Sequence, residues 1–177
     1  MDKKELRRQI REKKRAMTEE QIVTASQRLG ELFCNCEPYK NAKTIYGYLP
    51  YNQEVRTVPM LEQALKDGKR VAVPKCYGDE MRFIYMDDLS LVENGYANIP
   101  EPIADGPVAE DKTALVLMPG MAFTKNGDRM GYGGGFYDKF LAAEPDHPTL
   151  ALCYDFQMVE SLPTEEYDIP VDCVLWA

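Results

Sequence analysis

Three short runs, Thr44 to Leu49, Val58 to Lys66 and Arg70 to Cys76, limit what this chain can fold into more than any other feature. The first and third are apolar, β-branched and aromatic, as buried strands are, while the middle run has helical spacing and stops at Gly68. Strand, helix and strand in that order form the unit of a parallel sheet. Pro50 and the polar Asn52-Gln53 turn end the first strand and open the loop leaving it. Ala114 to Met118 is apolar throughout, which suits a strand at the sheet centre with both faces covered. Further strands are expected at Met81 to Met86, at Thr149 to Tyr154 and near Val171 to Trp176.

Ahead of this unit the chain opens with two helices. Leu6, Ile10 and Met17 make a thin apolar stripe along Lys3 to Met17. Thr18-Glu19-Glu20-Gln21 then fits a capping box, followed by Ile22, Ala25, Leu29, Leu32 and Phe33 on one helical face. The Pro/Gly-rich stretch from Asn94 to Pro107 is expected to pack as an ordered surface loop. No repeat or linker divides the chain, and 177 residues suit one core. The expected fold is therefore α/β: a single three-layer domain over residues 1–177, with a mostly parallel central sheet flanked by helices.

Composition narrows the function. No apolar run approaches the roughly 20 residues that span a bilayer, and the charged N-terminus is unlike a secretory signal, so a cytoplasmic protein with no membrane partner is expected. The five cysteines are odd in number and scattered, which argues for free thiols. Cys34-Asn-Cys36 has the wrong spacing for a zinc knuckle, and His147 is the sole histidine, so no structural zinc is expected. The net charge is −8, yet residues 1–15 hold eight Lys/Arg against three Asp/Glu. The acidic remainder disfavours nucleic-acid binding. The basic N-terminus itself is open to three readings: a solvated helix face, a nucleic-acid arm, or one wall of a pocket for a polyanionic small ligand.

The most informative segment, Met118 to Leu141, follows the strongest strand and runs into a helix, which puts it at the carboxyl edge of the sheet, where open α/β folds bind ligands. Gly131, Gly133, Gly134 and Gly135 are costly to order unless positive φ or close backbone approach is needed there. Their amides and the following helix N-terminus can converge on phosphate oxygens, although a flexible turn would use the same residues. Neither the P-loop nor the Rossmann spacing is present, so a nucleotide site here is of another type. Arg129 can offset phosphate charge and Asp138 can hold Mg²⁺ through one carboxylate; alternatively Arg129 pairs on the surface and Asp138 stabilises the helix end.

Taken in order, Pro119-Gly120, Lys125-Asn-Gly-Asp-Arg129 and Gly131-Tyr-Gly-Gly-Gly-Phe-Tyr-Asp138 closely resemble the signature of the 5-formyltetrahydrofolate cyclo-ligase family. Lys3-Lys-Glu-Leu-Arg7, Glu54-Val-Arg-Thr57, Ile99-Pro-Glu-Pro102, Leu150 to Gln157 and Asp168 to Asp172 agree in the right order, so the resemblance spans nearly the whole chain. It implies a fold like that of sugar-phosphate isomerases and CoA transferases. It also implies an ATP- and Mg²⁺-dependent closure of 5-formyltetrahydrofolate, and of its polyglutamates, to 5,10-methenyltetrahydrofolate with release of ADP and phosphate. A monomer is expected.

Carried over by position, Lys3 and Arg7 resemble ATP contacts, with Lys4 an alternative to Lys3 and Arg7 also near the folate. Arg129, Met130, Gly131, Tyr132, Gly133, Gly134, Gly135, Phe136 and Tyr137 resemble the ATP loop, with Tyr132 to Phe136 also facing the folate. Arg7, Arg129 and Tyr137 are the catalytic candidates. Asp138 and Asp168 resemble magnesium ligands, with Asp172 a weaker candidate that suits orienting the last strand. Tyr51, Glu54 and Arg56 match the stretch that meets the pterin or formyl group, where a carboxylate accepts from ring nitrogens.

Arg56 stands where many relatives carry an acidic residue, Tyr167 where a His is common, and Thr124 where an Asp is common. Loss of the carboxylate at position 56 leaves room for a second reading, a module that binds nucleotide and folate without turnover. A third takes the fold alone, as a base-catalysed isomerase or acyl-CoA transferase indifferent to ATP.

Overall fold

The computed structural model describes residues 1–177. In chain order the helices are α1 (Lys3–Arg15), α2 (Glu19–Asn35), α3 (Glu37–Asn41), α4 (Val58–Lys66) and α5 (Phe136–Ala143). The strands are β1 (Thr44–Tyr46), β2 (Arg70–Tyr77), β3 (Glu80–Tyr85), β4 (Val92–Asn94), β5 (Pro100–Pro102), β6 (Leu115–Met118), β7 (Ala122–Phe123), β8 (Arg129–Met130), β9 (Thr149–Cys153) and β10 (Cys173–Trp176).

Six strands form the central sheet in the order β10-β9-β6-β1-β2-β3, parallel everywhere except at the β2–β3 edge pair. Period-two alternation decides which layer each strand residue joins. Ile45, Val71, Val73, Leu115, Leu117, Leu150 and Leu152 pack in one cluster with Leu29 and Phe33 of α2, Tyr39 of α3 and Leu61 and Ala64 of α4. Their neighbours Tyr46, Ala72, Val116, Met118, Ala151 and Cys153 pack in the other, where Leu141, Phe140 and Tyr137 of α5 meet Phe83. The expected three layers are present, with helices on both sheet faces.

Local chemistry sets the helix ends. Thr18 accepts from Gln21 N while the Gln21 side chain accepts from Thr18 N, the expected capping box. Asp172, at the entry to β10, accepts from Thr149 N at 3.0 Å, which ties the last strand to β9 as its sequence position suggested.

Three details differ from the sequence-based expectation. The apolar stripe of α1 continues from Leu6 and Ile10 to Lys14, whereas Met17 lies beyond the helix and packs against the main core. The helix stops at Arg15, with Ala16 as its C-cap, so Met17, which a continued helix would bring back to that face, is carried off it instead. The stretch from Asn94 to Pro107 starts at the end of β4 and includes β5, which pairs antiparallel with it, and Tyr96 to Glu101 borders the central cavity. A short hairpin, β7–β8, also interrupts the glycine-rich segment; strands of two residues are too brief to leave a periodic signal.

Candidate active site

All five parallel strands of the sheet end on one edge, and the connections run outward in opposite directions from the β1/β6 pair. That reversal opens a crevice between the loops that follow β1 and β6. A cavity of about 740 Å³ lies there, in the size range of small-molecule sites.

The loop after β1 builds one wall. Thr57 Oγ1 donates to Tyr48 O and Tyr154 Oη donates to Gln53 O at 2.6 Å, so the loop is held from both sides. Glu54 turns inward: its Oε1 accepts from Tyr51 N at 2.9 Å and its Oε2 from Tyr132 Oη at 3.3 Å. Burial raises the pKa of Glu54, and Lys14 and the Tyr51 amide act in the opposite direction.

The β7–β8 hairpin and the glycine run build the second wall. The side chain of Arg129 on β8 is 6% exposed; its Nη1 donates to Pro119 O at 2.9 Å and its Nη2 to Asp138 Oδ2 at 3.2 Å. Gly133 and Gly135 have φ of +108° and +69°, so two glycines are required by conformation. A Cβ at Gly131 would sit 2.9 Å from Arg129 Nη1, so a side chain there would displace that guanidinium. Gly135 caps α5 with no side-chain hydrogen bond, so the first-turn amides of that helix remain available to an anion. Burial pushes the Tyr137 phenol far up, which makes it a hydrogen-bond donor and not a base near neutrality.

Helix α1 is the third wall. Leu6 and Ile10 seat it on Met121, Ala122, Met130 and Leu162, which turns Lys3, Arg7, Arg11 and Lys14 toward the cavity. Arg7 Nε and Arg129 Nε are both buried without a hydrogen-bond partner. An unsatisfied buried donor costs about 1–3 kcal/mol, and two such guanidinium groups on the wall of one cavity suit an anionic ligand. The segment carrying Glu165 to Asp168 closes the rim: Lys3 pairs with Glu165 at 3.7 Å, and Ile169 N donates to Asp138 Oδ1 at 3.3 Å. Asp138 and Asp168 both border the cavity, and no third His, Cys, Asp or Glu joins them into a chelating group.

Most of the residues singled out from the sequence converge here: Lys3, Arg7, Tyr51, Glu54, the run Arg129 to Asp138, and Asp168 all border the cavity. Lys4 is exposed and off the wall, which favours Lys3 over it. Arg56 is also off the wall, donating to Asn52 O and Glu54 O and pairing with Glu19 at 3.2 Å. Sequence reasoning missed Lys14, Tyr48 and Glu101, of which only Lys14 left a signal, through its spacing from Leu6 and Ile10.

Comparison with known proteins decides the family. Residues 1–177 match the model of the 5-formyltetrahydrofolate cyclo-ligase family. The chain belongs to that family. The 5-formyltetrahydrofolate cyclo-ligase of Escherichia coli strain K12 is 33% identical over 174 residues, 94% of this chain and 95% of the relative. The mouse cyclo-ligase is 29% identical over 189 residues, 98% of this chain and 93% of the relative. The structure of Aquifex aeolicus 5,10-methenyltetrahydrofolate synthetase superposes with a TM-score of 0.86 at 29% identity, covering 99% of this chain and 90% of that one. As a cyclo-ligase the protein is an enzyme that closes a C–N bond.

Proposed function

We propose that the cavity converts 5-formyltetrahydrofolate to 5,10-methenyltetrahydrofolate at the expense of ATP, by phosphorylating the formyl oxygen. The formamide oxygen is a poor leaving group. Transfer of the γ-phosphoryl group to it gives an imidate-type phosphate, which N10 of the folate attacks; the C–O bond then breaks with loss of inorganic phosphate, and N10 gives up its proton. Phosphoryl transfer of this kind needs positioning and charge neutralisation more than a covalent nucleophile. The observation that carries the reading is the convergence on one cavity of Arg7 and Arg129, each with a buried Nε that no protein group satisfies, and of the uncapped start of α5.

In this reading Lys3, Arg7, Arg129 and the amides of Gly131 to Phe136 hold the phosphates, and Tyr137 donates a hydrogen bond to a developing oxyanion. Glu54 and Tyr51 face the pterin and formyl end. Two carboxylates on the cavity wall without a third ligand suit Mg²⁺, which keeps several waters and is completed by substrate phosphates. Asp138 and Asp168 would hold that ion, which would neutralise charge on the transferring phosphoryl group. Arg56, spent on Glu19 and on backbone oxygens, offers no support for a binding module without turnover.

The test is direct. Purified protein with ATP, Mg²⁺ and 5-formyltetrahydrofolate should produce methenyl absorbance and ADP in equal amounts. Methenyl product without ADP would contradict the role of ATP, and neither product would leave the binding module standing.

A further inference from the structure

One cation of the cavity wall differs from the rest. Lys14 is 7% exposed, and lysines are seldom buried to that degree without a purpose. A Leu or Met there would extend the stripe of Leu6 and Ile10, so the charge is held at some cost in stability. Its ammonium donates to Tyr132 Oη at 3.2 Å, and the same hydroxyl donates to Glu54 Oε2 at 3.3 Å. A cation, a phenol and a carboxylate thus connect α1, the glycine run and the loop after β1, which are the three walls of the cavity.

Of the cations around Glu54, Lys14 acts on its carboxylate most strongly, and Arg56 adds a smaller effect in the same direction. Facing the carboxylate are the phenols of Tyr48, Tyr137 and Tyr154, all kept neutral by burial. Arg56 is directed at Glu19 and at carbonyl oxygens. Facing Lys14 besides Glu54 and Tyr132 is the thiol of Cys153, pushed up to about 12 by burial and therefore neutral.

We propose that Lys14 is a positioning residue of the reaction, which through Tyr132 holds Glu54 as an oriented carboxylate at the folate end of the cavity. The proposal rests on the assignment of Glu54 to the folate. Burial raises the pKa of Glu54 and Lys14 opposes it, so removing Lys14 lets Glu54 protonate at a higher pH. With ionised Glu54 as the active form, the acidic limb of kcat/KM then moves upward.

The experiment measures kcat/KM for 5-formyltetrahydrofolate against pH, at saturating ATP-Mg²⁺, in the parent protein, Lys14→Met, Lys14→Arg, Tyr132→Phe and Glu54→Gln. Lys14→Met should move the acidic limb up by about one pH unit and raise KM for the folate about tenfold, with a smaller change in KM for ATP. Lys14→Arg should restore the limb. Tyr132→Phe, which breaks the same connection without touching α1, should move it in the same direction, so the test survives if Lys14→Met does not fold. An acidic limb that vanishes in Glu54→Gln but stays in place in both Lys14→Met and Tyr132→Phe overturns the role of Lys14. A Glu54→Gln protein with unchanged folate KM and an intact limb overturns the assignment of Glu54 and the proposal with it.

Discussion

Among single residues of the cavity wall, Arg129 ties the loop after β6 to the start of α5. It donates to Pro119 O and to Asp138 and carries a buried Nε without a partner, and a lysine cannot reproduce that fork. Arg129→Lys is expected to lower kcat by about 10²–10³-fold, measured by methenyl formation, with little change in far-ultraviolet circular dichroism. Arg7→Ala should weaken use of ATP by a similar factor while leaving the fold intact, and unchanged catalytic efficiency would remove α1 from the site. Much of this was legible from the order of motif residues, because a glycine run between a buried strand and a helix has few uses. Lys14 was less legible, because a lysine in a basic helix looks like any other until its i, i+4 relation to Ile10 is combined with the location of Tyr132.

At the level of elements, α1 is attached to the hairpin β7–β8 chiefly through Leu6 and Ile10. Ile10 is 2% exposed, and Ile10→Ala should destabilise by about 2–5 kcal/mol. Because the helix carries Lys3, Arg7 and Lys14 into the cavity, that variant should also raise KM for ATP, although residue 10 does not border the cavity; steady-state kinetics well below its melting temperature would test this. In the glycine run, Gly135→Ala meets no neighbour but must adopt φ near +69°, a strain of about 1–2 kcal/mol, and should disturb the start of α5. Gly131→Ala has no such backbone demand and should act through displaced Arg129, so it should lower activity more than melting temperature. The long elements could be read from periodicity, α4 to the residue, whereas β7, β8 and α3 were too short for a period to be expressed. The wall from Tyr96 to Glu101 was missed because a loop's sequence shows turn chemistry and not the surface it covers.

For the whole molecule, sheet topology places the site. Opposite winding from β1 and β6 creates one crevice, and a basic helix on an otherwise acidic chain is folded against it, so the local field favours a polyanion in a protein of net charge −8. No helix is long and apolar enough to cross a membrane. Bound ATP-Mg²⁺ at a hundred times its Kd should stabilise the fold by about 2.7 kcal/mol, a rise in Tm of roughly 5–10 °C, and chelation of Mg²⁺ should remove most of it. An isomerase indifferent to ATP would give no shift. The fate of the formyl oxygen tests the account most directly. With ¹⁸O in the formyl group of 5-formyltetrahydrofolate, the inorganic phosphate released in one turnover should carry the label in full. Unlabelled phosphate, with the ¹⁸O recovered in water, would contradict phosphorylation of that oxygen.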